Sequence, residues 1–221
     1  MNIYGDSLMG AFQFRTTLEQ TILLGLKAKN AAELLEGIRT VPKSSIYHHT
    51  HRFLQQHHYL SPEPSNDFAY WITEVVNDDA LGESLSSIDV IQFHTIADLR
   101  TRLEEIISSY LGAGNQPVDC PRGEEFHFMA SQTFALTTRY EAHNLSEFSD
   151  MLQRVSVSSL YYHIFDSKLR LGQDENDFSL WFRTQGKPLL AEEVLKLDPY
   201  THTLEGLRRR ILVMVKRYDT D

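Results

Sequence analysis

FHFMASQTFALTT, Phe126 to Thr138, is the stretch on which the fold turns. Its Phe-x-Phe alternation and its threonines suit a strand, whereas most of the chain carries the three-to-four-residue apolar spacing of helices. Its opening Phe126-His127-Phe128 has an echo in Phe12-Gln13-Phe14, displaced by 114 positions (126 − 12). The same displacement lays AKNAAELLEGIRTV, from Ala28, on AHNLSEFSDMLQRV, from Ala142. It also lays SSIYHHTHRFL, from Ser44, on SSLYYHIFDSK, from Ser158. With small shortenings, NDFAYWI at Asn66 then meets NDFSLWF at Asn176, and HTIADLRTRL at His94 meets HTLEGLRRRI at His202. The order is kept throughout, so the chain reads as two tandem copies.

The expected fold is therefore mainly α: two tandem pseudo-repeats of helical bundles, with a small β element from the Phe-x-Phe segments left open. The expected organisation is a first helical repeat over 1–110, a Gly- and Pro-rich connection over 111–125, and a second repeat over 126–221. The two repeats are expected to pack as one pseudo-twofold unit. Asn30 with Glu33 and Asn144 with Glu147 fit N-caps answered by a Glu three residues on. Asn66, Asn176, Thr95 and Thr203 fit further caps, and Ser45 and Ser159 would cap the histidine-bearing helices.

The net charge of −9 opposes a phosphate-binding surface, so no nucleic acid is expected. Arg208-Arg209-Arg210 reads as the solvated side of a last helix. The single cysteine, Cys120, excludes a disulfide framework and a four-thiolate metal site. No apolar run is long enough for a membrane span and no leader is visible, so the expected location is the cytoplasm.

Five of ten histidines fall in YHHTHRFLQQHHY, Tyr47 to Tyr59. On a helical wheel Ile46, Phe53 and Leu60 mark the buried side. His48, His51 and His58 then form a stripe pointing away from it, and His49 points inward. His48 and His51, with His58, are candidate ligands for zinc or another transition metal, but no third-ligand motif accompanies them. Only His49 recurs in the second copy, as His163. A candidate ligand pocket is accordingly Tyr47, His49, Asp67 and Trp71, mirrored by Tyr161, His163, Asp177 and Trp181. A carboxylate beside an imidazole can do acid–base work, or can simply hold two helices together. No nucleophile elbow or phosphate loop is present.

VPKSSIYHHTHRFLQQHHYLSPEPSNDFAYW, with GEEFHFM, VSSLYYHIFD, ENDFSLW and LDPYTHTLEGLR, resembles a bacterial family of uncharacterised proteins, a domain of unknown function. A looser pattern, Ser44, Tyr47, His48, Asn66, Phe68 and Trp71, is similar to helical segments attached to phosphoenolpyruvate-synthase-like enzymes and regulators. Its second-half form is Ser159, Tyr162, His163, Asn176, Phe178 and Trp181. Neither resemblance implies a catalytic residue. The reading leans against catalysis and towards a regulatory or adaptor module with a protein partner or small-molecule ligand. A metal-dependent hydrolase or lyase using the His48–His58 cluster is the alternative.

Overall fold

The alternation that begins at each Phe-x-Phe runs much further than a small element requires. In the computed structural model, which describes residues 10–56, 66–198 and 201–219, strand β1 is Phe12–Ala28 and strand β2 is Phe126–Ala142. Each has 17 residues, about three times the usual strand length. They pair antiparallel as a two-stranded ribbon. The expectation of a mainly α fold is corrected here. Helices dominate at 58%, but the ribbon makes the fold mixed α and β. The runs TTLEQTILL and TFALTT supply the β-branched residues that hold the chain extended beyond the aromatic pair.

Between the strands lie α1 (Ala31–Thr40), α2 (Lys43–Gln56), α3 (Asp67–Glu74), α4 (Asp79–Ser86), a 3₁₀ turn (Val90–Gln92) and α5 (Ile96–Gly112). After β2 come α6 (Leu145–Arg154), α7 (Val157–Tyr161), a π turn (Tyr162–Asp166) and α8 (Ser167–Leu171). The chain ends with α9 (Asp177–Thr184), α10 (Pro188–Leu195) and α11 (Leu204–Asp219). Among the described residues no helix is long and apolar enough to cross a membrane.

The helix starts are written locally. Asn30 accepts from the Glu33 N–H at 3.0 Å, and Glu33 reaches back to the Lys29 N–H at 3.1 Å. Asn144 and Glu147 repeat this at 2.9 and 2.8 Å. Asn66, Asn176, Thr95 and Thr203 cap as expected. Ser45 and Ser159 do not. Their helices begin earlier, at Lys43 and at Val157 behind a Ser156 cap, which leaves both hydroxyls buried inside the helix without a partner.

Two compact units are resolved, and each strand serves both. One, the His49 unit, comprises 19–56 and 66–133 of the described residues; the other, the His163 unit, comprises 10–18, 134–198 and 201–219. Phe126 and Phe128 enter the core of the His49 unit, with Leu34, Ile38, Phe68 and Trp71. Phe12 and Phe14 enter the core of the His163 unit, with Phe148, Phe178 and Trp181. A two-stranded ribbon is marginal alone; burying its aromatic ends under helices stabilises it.

In the His49 unit, α1 approaches the strand so closely that only glycine fits at 37. A Cβ there would lie 2.2 Å from the Phe128 ring. Gly37→Ala is expected to destabilise by about 1–3 kcal/mol, the usual penalty for overpacking a core. The check is a lower denaturant midpoint by Trp71 fluorescence.

Candidate functional site

His49 and His163 are held in the same way. In the His49 unit, His49 on α2 is 1% exposed. Its Nε2 accepts the Met129 backbone N–H at 2.9 Å. An acceptor nitrogen carries no proton, so Nδ1–H is the donor, and it gives its hydrogen bond to Asp67 Oδ2 at 2.8 Å. In the His163 unit, His163 Nε2 accepts the Arg15 N–H at 2.8 Å and Nδ1–H donates to Asp177 Oδ2 at 2.7 Å. Each imidazole thus bridges a strand backbone to a carboxylate in the first turn of a helix, whose dipole favours negative charge.

Charge follows from this packing. Burial pushes the His163 pKa down, against the pull of Asp177. Burial alone would raise Asp177, but hydrogen bonds from His163 and Arg170 and their charge hold it below the ordinary aspartate value. Arg170 Nη2 reaches Asp177 Oδ2 at 2.7 Å and its guanidinium lies 4.3 Å from the Tyr162 ring centre.

The remaining members of the expected pocket are only partly brought together. Phe126 touches both His49, at 4.7 Å between ring centres, and Trp71, at 5.7 Å. Phe12 touches His163 at 4.9 Å and Trp181 at 5.6 Å. A phenylalanine therefore fills the space that His49 and Trp71, or His163 and Trp181, would offer a ligand. The indoles also bind backbone: Trp71 Nε1–H donates to Glu124 O at 2.8 Å, and Trp181 Nε1–H to Gly10 O at 3.2 Å. Tyr47 stacks on His51 at 5.3 Å and bonds to Glu19, away from His49. Tyr161 is fully buried beside Phe165.

The stripe expected to face away from the core is corrected. His48 is 4% and His51 1% exposed, because the ribbon covers that side of α2. His48 Nδ1 lies 2.9 Å from Ser131 Oγ on β2. Arg52 donates to Thr21 Oγ1 on β1 and stands 3.7 Å from the Glu19 carboxylate. Burial raises the Glu19 pKa despite Arg52 and a Tyr47 hydrogen bond. Burial lowers His48 and His51 to about 4, His48 also feeling His49 and Arg52. His58 lies outside the described residues. Among the described residues no three His, Cys, Asp or Glu side chains converge so as to hold a metal ion.

One pair of residues escaped the sequence reading. Arg208 is buried, not solvated; its guanidinium donates to Leu152 O and Val155 O at 2.6 and 2.7 Å, fastening the end of α6. Arg100 does the same for α1 through Val41 O at 2.6 Å. The signal was present in the matched Leu-Arg of LRTRL and LRRRI.

A family model described as a family of unknown function, DUF5752, matches residues 9–216. The chain belongs to the DUF5752 family. This DUF5752 protein is also similar to a solved structure, OrfY from Thermoproteus tenax, an archaeon. The two share 27% identity with a TM-score of 0.79 over 96% of each chain. No curated protein matches, so the looser likeness to phosphoenolpyruvate-synthase-attached segments gains no support there.

Proposed function

We propose that the protein is a binding module without chemistry of its own, an adaptor or regulator acting on a protein partner in the cytoplasm. In this reading residues 1–110 and 126–221 are two copies of one repeat, joined by 111–125. The observation that carries it is the use of both nitrogens of His49 and His163 inside the scaffold. A general base needs a lone pair free for substrate, and here that lone pair holds a strand N–H. The same bridge, the same Asn caps and the same arginine clamp in each unit support common ancestry of the two copies.

The test is affinity purification from the source cells with quantitative mass spectrometry and metal analysis, for the wild type and a His49→Ala, His163→Ala double variant. A partner recovered near stoichiometry by wild type, and still recovered by the folded but less stable variant, is the expected result. Near-stoichiometric zinc that disappears with His48→Ala, or a turnover abolished by the double variant at a temperature where it is folded, would overturn the reading.

A further inference from the structure

Among the described residues β1 pairs with β2 and with no third strand, so one edge of β1 presents backbone N–H and C=O groups without a strand partner. Just beyond the strand the Cys120 N–H donates to Lys29 O at 2.7 Å. Much of the strand from Gln20 to Lys27 is exposed. Gln20, Thr21, Gly25 and Lys27 are exposed, and the large apolar side chains Ile22, Leu23 and Leu26 are 41, 63 and 40% exposed. Proteins usually guard such an edge with lysine, proline or a bulge. From Gln20 to Leu26 there is no charge and no proline, and Gly25, at φ 73°, is the one residue of β1 with a positive φ.

We propose that this edge pairs with the same edge of a second copy, antiparallel about a twofold axis passing through Ile22–Leu24. A twofold contact must be complementary to itself, since residue i meets residue j and j meets i. Ile22, Leu23 and Leu24 are three consecutive apolar residues, so an axis through any of them sets an apolar residue against its own copy at the centre of the contact. Lys27 then falls opposite Thr17, Glu19 or Thr21 of the other copy and never opposite itself. The strongly negative chain thus keeps its like charges off the contact, which a charged partner surface would not favour. Seven residues of strand span about 24 Å. A single strand edge of that length buries less than the roughly 800 Å² per partner of a standard interface, so the dimer is concentration-dependent. The contact is between copies and does not depend on the protein-partner reading above.

Sedimentation equilibrium of the purified chain over a wide concentration range is the first test. A reversible monomer–dimer equilibrium is expected, and Leu23→Lys should abolish it with an unchanged circular dichroism spectrum and Tm. At a twofold axis identical residues face each other. In a Cys120→Ser background, one of Ile22→Cys, Leu23→Cys and Leu24→Cys should therefore give a disulfide-linked dimer on mild oxidation. Val213→Cys, 63% exposed on α11, should stay monomeric under the same conditions. A monomer at every concentration, a dimer that survives Leu23→Lys, or a dimer that none of the three cysteines captures would each overturn the proposal.

Discussion

Phe14→Ala is expected to destabilise the part of the protein built from residues 134–219, although position 14 lies more than a hundred residues away in sequence. The Phe14 ring is fully buried and meets Phe148 at 5.3 Å and Phe178 at 6.2 Å between centres. Removing a buried phenylalanine typically costs about 3–5 kcal/mol, the transfer energy plus the cavity left behind. The two tryptophans allow the assignment to be checked, since Trp71 belongs to the His49 unit and Trp181 to the His163 unit. With Trp71→Phe as background, the transition reported by Trp181 should move to a markedly lower denaturant concentration on Phe14→Ala. Phe128→Ala should do the converse for Trp71. If Phe14→Ala shifted only the Trp71 signal, the core assignment of the strand ends would be wrong.

This pairing also marks where reading the chain alone stops. Helix caps depend on side chains two or three residues from the N–H they satisfy, so Asn30, Asn66, Asn144, Asn176 and Thr95 were legible. Ser45 and Ser159 misled because a serine fits a helix start and a buried helix interior alike, and neither hydroxyl announces which. The Phe-x-Phe segments were visible as strands, but their length was not. Nothing within a few residues of Phe14 says that extension continues to Ala28; pairing with β2 decides it. The solvent face of α2 is hidden from the sequence for the same reason. A helical wheel assumes water opposite the apolar stripe, whereas Ser131, Thr21 and Glu19 of the ribbon occupy that side. Within the candidate site, His49 and Asp67, like His163 and Asp177, were foreseeable as neighbours. That the remaining ring nitrogen would be spent on a strand N–H was not, because Met129 and Arg15 contribute only backbone there.

The buried histidines make stability depend on pH between about 6.5 and 4, and the direction follows from their environment. In the unfolded chain His48, His51 and His163 titrate near 6.5. In the folded protein burial lowers all three, His48 and His51 to about 4. Between those values the unfolded state binds more protons than the folded state, so stability rises with pH in that window. It is fully present above about pH 6.5 and is lost as pH falls towards 4. For His51, 1% exposed, the contribution is at most on the order of 3 kcal/mol. The described groups around His48 give its protonation little compensation. Arg52 is already positive, Glu19 is itself raised by burial, and Ser131 and Thr21 are neutral. Asp67 favours a charged His48 but already holds His49. Asp177 acts in a separate window: its lowered pKa contributes stability that disappears only below the ordinary aspartate value. Denaturant unfolding at pH 7.5, 5.5 and 4.5 should therefore show a steady fall in midpoint. Phe165 suggests the variant that isolates one residue, since it packs on Tyr161, four residues before it, much as His51 packs on Tyr47. His51→Phe should flatten the pH dependence reported by Trp71 by about one histidine's share. An unchanged slope in a folded His51→Phe protein would mean that His51 is not titrating on unfolding, and that the buried-histidine account of acid sensitivity is wrong.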